Sequence, residues 1–434
     1  MARSRAHEAL LVLLNGRLVG QLHKSTSGAI DFQYDPSWLG WQHTFPISMS
    51  LPLREDRYAG EPVSAVFDNL LPDNVQIRRR LAERVKAKGD DAYSLLAAIG
   101  RDCVGALQFL PEGTKSSEPG RVQGEPVTDQ RIATLLADLN NSPFGLSAED
   151  TEFRISLAGA QEKTALLFWK KKWHIPHAGT ATTHIFKPQI GVLGNGLDLS
   201  RSVENEHLCM RLTALLELPT AKTEIVPFGG KQVLVVERFD RQWTQDKRLL
   251  RLPQEDCCQA LGVPPVGKYQ SEGGPGMREI LQFLKASDDA RADQRLLLKA
   301  QMAFWLLAAT DGHAKNFSIF IHPGGGFRLT PLYDVLSLQP NFDAQHLKRN
   351  QMKLAMSVGN SRHYVVDTIL PRHFVQSAQQ AGIPADVVNE LMGELVAQTP
   401  KAITAAQSEL PKDFPGTIAE SIFGGMQRRL KLLE

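Results

Sequence analysis

Ala309-Thr-Asp-Gly-His-Ala-Lys-Asn-Phe-Ser318 sets one carboxylate, Asp311, five residues before one carboxamide, Asn316, at the edge of an apolar segment. That is the spacing of a phosphoryl-transfer catalytic loop, in which the Asp accepts the proton of an attacking hydroxyl and the Asn holds a magnesium ion on the nucleotide phosphates. Both side chains must then point into one site from one rigid turn. Downstream, Phe317-Ser-Ile-Phe-Ile321, the turn His322-Pro-Gly-Gly-Gly326 and Phe327-Arg-Leu-Thr330 predict a β-hairpin that returns the chain to Leu332-Tyr333-Asp334. Asp334 becomes the second magnesium ligand. Asp-Gly followed by Asn is also ordinary turn chemistry, because turns favour these same residues; the hairpin and the second aspartate tip the balance toward catalysis. No His-Arg precedes Asp311 and no Phe-Gly follows Asp334, so the general protein-kinase signature is missing.

With 434 residues the chain is long enough for two or three cores, and 42% hydrophobic with 22% charged residues is an ordinary globular composition, not that of a disordered chain. A formal charge of +2 does not mark a nucleic-acid binder, so partners must be argued from sites. Cys103, Cys209, Cys257 and Cys258 form no C-x-x-C pair and have no His at zinc-ligand spacing, which argues against a disulfide framework or a structural zinc and favours a reducing, cytoplasmic setting. The apolar run Ala9–Leu14 is short for a signal peptide and ends in Asn15-Gly16, a hairpin signal before Arg17–Leu22. No apolar stretch approaches the roughly 20 residues of a membrane span, so no membrane partner is expected.

In chain order, Ala9 to Leu53 reads as a small β-rich opening. Asp73 is expected to cap a helix through Lys88, with Val75, Ile77, Leu81 and Val85 inward and Arg78, Arg79, Arg80, Arg84, Lys86 and Lys88 on a solvated face. A helix over Ser94 to Ile99 and a strand over Val104 to Leu110 follow. Pro111 to Val127, rich in Gly, Pro, Ser and Glu, reads as an exposed connector and gives the first boundary. A helix from Asp129 to Leu139 leads to Phe153-Arg-Ile-Ser156-Leu-Ala-Gly-Ala-Gln-Glu-Lys163 and the strand-like run to Phe168. The small residues Ala158, Gly159 and Ala160 suit either a loop lying over phosphates or a plain hairpin turn.

Thr183–Lys187 predicts a strand ending in a lysine and stopped by Pro188, and such a lysine can neutralise nucleotide phosphates. In the helix predicted over Val203 to Leu216, Glu206 can hold Lys187, with Glu204 as a rival. The apolar strand Gln232–Val236 runs into Glu237-Arg238-Phe239-Asp240, where it either offers backbone groups to an adenine or is simply a core strand. Gly262-Val-Pro-Pro-Val-Gly-Lys268-Tyr269 imitates a P-loop but has Tyr for the magnesium-binding Ser or Thr and two crowding prolines, and is rejected. Gly273–Gly276 opens a helix over Met277 to Lys285. Apart from the strand-like Lys353 to Val358, the remainder is helical, with apolar spacing over Leu296–Leu307, Asp386–Ala397 and Glu420–Leu433. The expected division is an N-terminal β-rich subdomain (1–127), a nucleotide-binding part of the N-lobe (128–253) and a mostly helical C-lobe with the catalytic loop (254–434).

The chain resembles the HipA family of toxin serine/threonine kinases through Phe67-Asp-Asn-Leu-Leu-Pro-Asp73, the Phe153–Lys163 stretch, Glu237-Arg-Phe-Asp240, Arg251-Leu-Pro-Gln-Glu-Asp256, Ala309–Ser318 and Leu332-Tyr-Asp334, a likeness spanning nearly the whole chain. The resemblance implies an α+β, protein-kinase-like two-lobe fold that uses ATP and Mg2+. It implies Asp311 as general base, Asn316 and Asp334 as metal ligands, Lys187 on the phosphates, and Glu237, Arg238 and Phe239 around the adenine. Ala158, Gly159, Ala160, Gln161, Glu162 and Lys163 become the phosphate loop, and His313, Ala314, Lys315 and Tyr333, beside the metal-ligand positions, join the ATP site. Ser156 is implied to be autophosphorylated as an off switch. A phosphoserine carries about −1.5 to −2 charge and would repel nucleotide phosphates in the same pocket.

The resemblance further implies a toxin that phosphorylates a translation component, typically an aminoacyl-tRNA synthetase, and is restrained by a small helix-turn-helix DNA-binding antitoxin. Ser377–Ile383 carries no charge, so DNA is expected to be reached indirectly, through the antitoxin. Two other functions stay open. Asp311-Gly-His313-Ala-Lys-Asn316 also follows the D-x-H-x-x-N order of phosphoinositide kinases, which suits a small-molecule or lipid kinase, and a catalytically silent corepressor would keep the fold without the chemistry.

Overall fold

Asn15 and Gly16 both adopt positive φ (45° and 80°), the mirror-image turn that matches the twist of paired strands, so Leu10–Leu14 folds directly onto Arg17–Lys24. The computed structural model describes residues 9–114, 118–140, 157–159, 161–177 and 179–434. The first sheet is antiparallel and runs Tyr58–Ala59, Ile30–Tyr34, Arg17–Lys24, Leu10–Leu14, Leu107–Pro111. Helices Glu61–Asp68 and Ala92–Ile99 pack with it around the fully buried Phe32, Trp38, Phe67 and Phe109. The basic helix is shorter than its sequence suggested, Val75–Arg84, and Asn74 caps it by accepting from the N–H groups of Gln76 and Ile77. Asp73, expected as the cap, is thereby left for another task.

A second antiparallel sheet runs Thr223–Phe228, Lys231–Glu237, His184–Pro188, Thr164–Trp169, Lys172–Pro176, Gly124–Pro126. Its outer strand comes from the stretch read as a connector: three residues are too few to show alternation, and Pro126 sits where an edge strand tolerates a missing N–H. Helix Ser202–Leu215 packs on this sheet. Three Arg and two Asp, their side chains all buried, fasten the first sheet's domain to the second. Asp102 takes Arg241 and Arg251 at 3.0 Å each, Arg238 and Arg241 take Asp240 at 2.8 and 2.9 Å, and Asp240 accepts the Gly105 N–H at 2.7 Å. The arginines outweigh the burial that would otherwise protonate Asp102 and hold its carboxyl far below the usual range.

The hairpin after the Asp311–Asn316 loop forms as expected, Ser318–Ile321 against Phe327–Leu329. A third strand, Gln254–Asp256, pairs with its first strand, so a segment from the lobe junction runs beside Asn316. Helices Ala290–Leu307, Pro371–Gln380, Ala385–Glu409 and Gly416–Leu430 make the C-lobe, with Trp305 and Phe374 at its centre. A β-rich lobe and a helical lobe joined in this way form an α+β, kinase-like two-lobe fold. Among the described residues no helix is long and apolar enough to cross a membrane.

Candidate active site

Helix Ala290–Leu307 is apolar almost all round over its last turns and ends at Ala308, whose φ of 51° turns the chain sharply out of the core. The next residues form the loop that holds Asp311. Asn316 Nδ2 donates to the Asp311 carbonyl at 2.7 Å and the His313 N–H to the same oxygen at 2.8 Å, so the five-residue spacing closes a ring. Asp334 returns at the far end of the hairpin in the left-handed region, φ 56°, a conformation uncommon for a side-chain-bearing residue and a recurrent mark of functional positions.

The opposite wall comes from the second sheet. Lys187, near the end of its strand, donates to Glu206 Oε1 at 2.7 Å and also to Asp334 Oδ1, and both Lys187 and Glu206 are buried. Glu206 is therefore the partner of the lysine; Glu204 instead takes Gln189 at 2.6 Å and Arg201 at 3.1 Å. Burial works against the Lys187 ammonium, but Asp334 and Glu206 more than offset it and hold its pKa above the ordinary value. Asp334 is likewise penalised by burial, yet Lys187 and Lys163 keep it firmly anionic. Burial lifts the carboxyl of Glu206 against the pull of Lys187. It lowers Lys163, with Asp334 opposing.

Gly159 carries φ 103°, a backbone conformation that side-chain-bearing residues rarely adopt, and a Cβ there would lie 2.7 Å from Lys163 Nζ and push the lysine aside. The Asp73 N–H donates to the Gly159 carbonyl at 3.1 Å, which fixes the loop from the N-terminal subdomain. Together these segments enclose a cleft of about 560 Å³. It is lined by Ala158, Gly159, Gln161, Lys163, Lys187, Glu237, Arg238, Phe239, Asp311, His313, Lys315, Asn316, Tyr333 and Asp334, all anticipated from the sequence.

Other anticipated residues are placed elsewhere. Glu162 turns to Arg80, and Ala314 is buried within the loop without lining the cleft. Ser156 and Ala160 lie outside the described residues. Within the cleft, Arg238 lends its wall only in part, because its guanidinium is engaged by Asp240, Thr182 and the Cys103 carbonyl. Lys315 also has a structural engagement: its ammonium donates to Asn69 O and Oδ1 at 2.7 Å each and stands 3.4 Å from Asp73.

Further lining residues include Asp73, Asp256, Lys268 and Tyr269, which the sequence reading did not assign to the site. Lys268 pairs with Asp73 at 2.8 Å, and the Tyr269 hydroxyl donates to Asp311 at 2.6 Å. The rejected P-loop look-alike is indeed no P-loop, since a helical turn, Cys257–Ala260, precedes it where a strand would be needed, yet its last two residues reach the site. The signal was Lys268-Tyr269 itself, read only against one motif.

A lysine held by a helical glutamate, facing a loop with Asp311, Asn316 and Asp334, is the cleft of a kinase fold. Family models match twice: the HipA N-terminal domain over residues 10–110 and the HipA-like C-terminal domain over residues 155–403. The chain belongs to the HipA family. It is 35% identical over 398 residues to "Putative kinase Y4mE" of Sinorhizobium fredii, covering 91% of this chain and 90% of the relative. It is 28% identical over 411 residues to the serine/threonine-protein kinase toxin HipA of Shewanella oneidensis, covering 92% and 89%. Its fold matches a chain of the solved HipA, HipB and operator DNA complex of Shewanella oneidensis with a TM-score of 0.81, 24% identity and 98% of both chains covered.

Proposed function

We propose that the chain is an ATP- and magnesium-dependent protein serine/threonine kinase and the toxin of a toxin-antitoxin pair. The observation that carries this reading is the convergence of Lys187, Asp311, Asn316 and Asp334 on one cleft, with Glu206 behind the lysine. The donor chemistry fits magnesium: a carboxamide and an anionic carboxylate are hard oxygen ligands, and magnesium completes its shell with water and phosphate oxygens.

In this reading Asn316 and Asp334 hold the ion, which neutralises phosphate charge when bound. Lys187 and Lys163 attract the phosphates, and Glu237, Arg238 and Phe239 frame the base. Asp311 takes the proton of the attacking serine or threonine hydroxyl. Ala158 to Lys163 forms the loop over the phosphates, and phosphorylation of Ser156 beside it would switch the enzyme off. The relatives named as kinases and as a HipA toxin support this assignment. So does the solved neighbour, which contains HipB and operator DNA. By the same reasoning the partners are a small DNA-binding antitoxin and a translation component such as an aminoacyl-tRNA synthetase, met in the cytoplasm, with divisions near residues 127 and 253.

Purified chain given radiolabelled magnesium-ATP should transfer label to protein and not to lipid. Asp311→Asn should abolish that transfer while leaving nucleotide affinity within about twofold, because the base contacts the hydroxyl side. Retained transfer in this variant refutes the assignment of the base. Co-expression with a HipB-like DNA-binding antitoxin should relieve any growth arrest that the chain causes.

A further inference from the structure

Asp311 is unusually open for a residue on which a proton transfer depends: its side chain is 58% exposed, so its own packing does little to fix the carboxylate. The hydrogen bonds made by Asn316 and the His313 N–H act on its backbone carbonyl, and the His313 ring stands with Nε2 3.7 Å from Oδ1, too far for a hydrogen bond, so neither sets the carboxylate torsion. The carboxylate is met instead by Tyr269, whose hydroxyl donates to Oδ1 at 2.6 Å while its ring stands edge-on to His313 with centroids 4.9 Å apart.

Tyr269 is itself held from both sides. Lys268 is paired to Asp73 at 2.8 Å, and Gln270 Oε1 accepts from the Ser357 N–H and hydroxyl at 2.7 and 3.0 Å. The Tyr269 carbonyl accepts the N–H groups of Glu272 and Gly274 at 3.0 Å each. Gly274 makes this winding possible, since a Cβ there would fall 1.9 Å from the Gly267 carbonyl oxygen. A rigid turn therefore presents one hydroxyl to one carboxylate oxygen.

We propose that Tyr269 is a positioning residue for phosphate transfer: it pins Oδ1 of Asp311 and so leaves the second oxygen to take the proton of the acceptor. The N-terminal subdomain takes part through Asp73, which anchors Lys268 next to the tyrosine. This rests on the reading of Asp311 as the base. It differs from two simpler roles, a ring that only packs on His313 and a hydroxyl that binds the protein substrate.

The three roles separate in Tyr269→Phe, which keeps the ring and removes only the hydroxyl. ADP release from magnesium-ATP by the full chain is measured with water as the acceptor and again with dephosphorylated casein added. If Tyr269 acts through Asp311, kcat falls by about 10- to 100-fold with either acceptor, as expected for a misplaced base. The KM for ATP and the calorimetric affinity for magnesium-ATP stay within about twofold, and p-aminophenylalanine at position 269, which restores a donor, recovers most of the loss. Lys268→Met, which cuts one anchor, shows the same pattern with a smaller loss. An unchanged kcat in Tyr269→Phe overturns the proposal in favour of packing. A loss confined to casein overturns it in favour of substrate binding. Wild-type turnover in Asp311→Asn, measured alongside, refutes the base instead and is told apart by that variant alone.

Discussion

Glu255 sits on the short strand beside the Ser318–Leu329 hairpin, fully buried, with Oε1 accepting the Met49 N–H at 2.8 Å. Burial pushes its carboxyl up to about 8; the Met49 N–H pulls against this and the neighbouring Asp256 adds to it. The folded state therefore keeps a proton on Glu255 that the unfolded chain, with a value near 4.5, releases. The stability it contributes is present below about pH 4.5 and is lost as pH rises toward 8. A shift of that size corresponds to roughly 5 kcal/mol at full extent, and about 4 kcal/mol of it falls between about pH 5 and pH 9. Glu255→Gln keeps the shape and the acceptor but cannot ionise, so the variant should gain on the wild type by up to that amount as pH rises. For a chain of this length the gain amounts to about 4 °C in Tm. Thermal unfolding of both proteins at pH 5, 6, 7, 8 and 9 measures the difference directly. Comparing the two proteins cancels the histidines, such as His184, which burial lowers to about 4 in the fold and which therefore takes up a proton on unfolding in the acidic part of the window. A difference that is flat with pH, or that shrinks as pH rises, would show that Glu255 is not held neutral in the fold.

Asp334→Ala removes the proposed metal ligand and a partner of Lys187, so the magnesium-ATP complex should bind at least tenfold more weakly by calorimetry; equal affinity would count against the metal site. Gly159→Ala should also weaken nucleotide binding, by several-fold, because the added methyl meets Lys163 Nζ at a position whose φ disfavours any side chain; unchanged affinity would mean the loop does not lie over the phosphates. Incubation with magnesium-ATP should add one phosphate at Ser156, and the modified protein should bind ATP more weakly than the same protein before incubation. Mass spectrometry and calorimetry on the two forms decide it, and equal affinities would remove Ser156 as an off switch.

The loop from Asp311 to Asn316 and the hairpin leading to Asp334 were legible because their geometry is local. A five-residue spacing, a Gly-rich turn and two short apolar runs suffice to write a site within one segment. Lys187 was legible for the same reason, as a charge at the end of an apolar strand stopped by proline. Choosing between Glu204 and Glu206 required the fold: two residues apart on a helix they point about 200° apart, and only the packing of Ser202–Leu215 on the sheet says which one faces the lysine. The cap at Asn74 in place of Asp73 was a one-residue matter that neighbouring good capping residues leave undecided until a partner such as Lys268 claims one of them. Tyr269 is the clearest case of what tertiary structure alone decides. It lies 42 residues from Asp311 in a turn without apolar periodicity, and hydrogen bonding between such segments follows from how the C-lobe packs within itself, which no local pattern encodes.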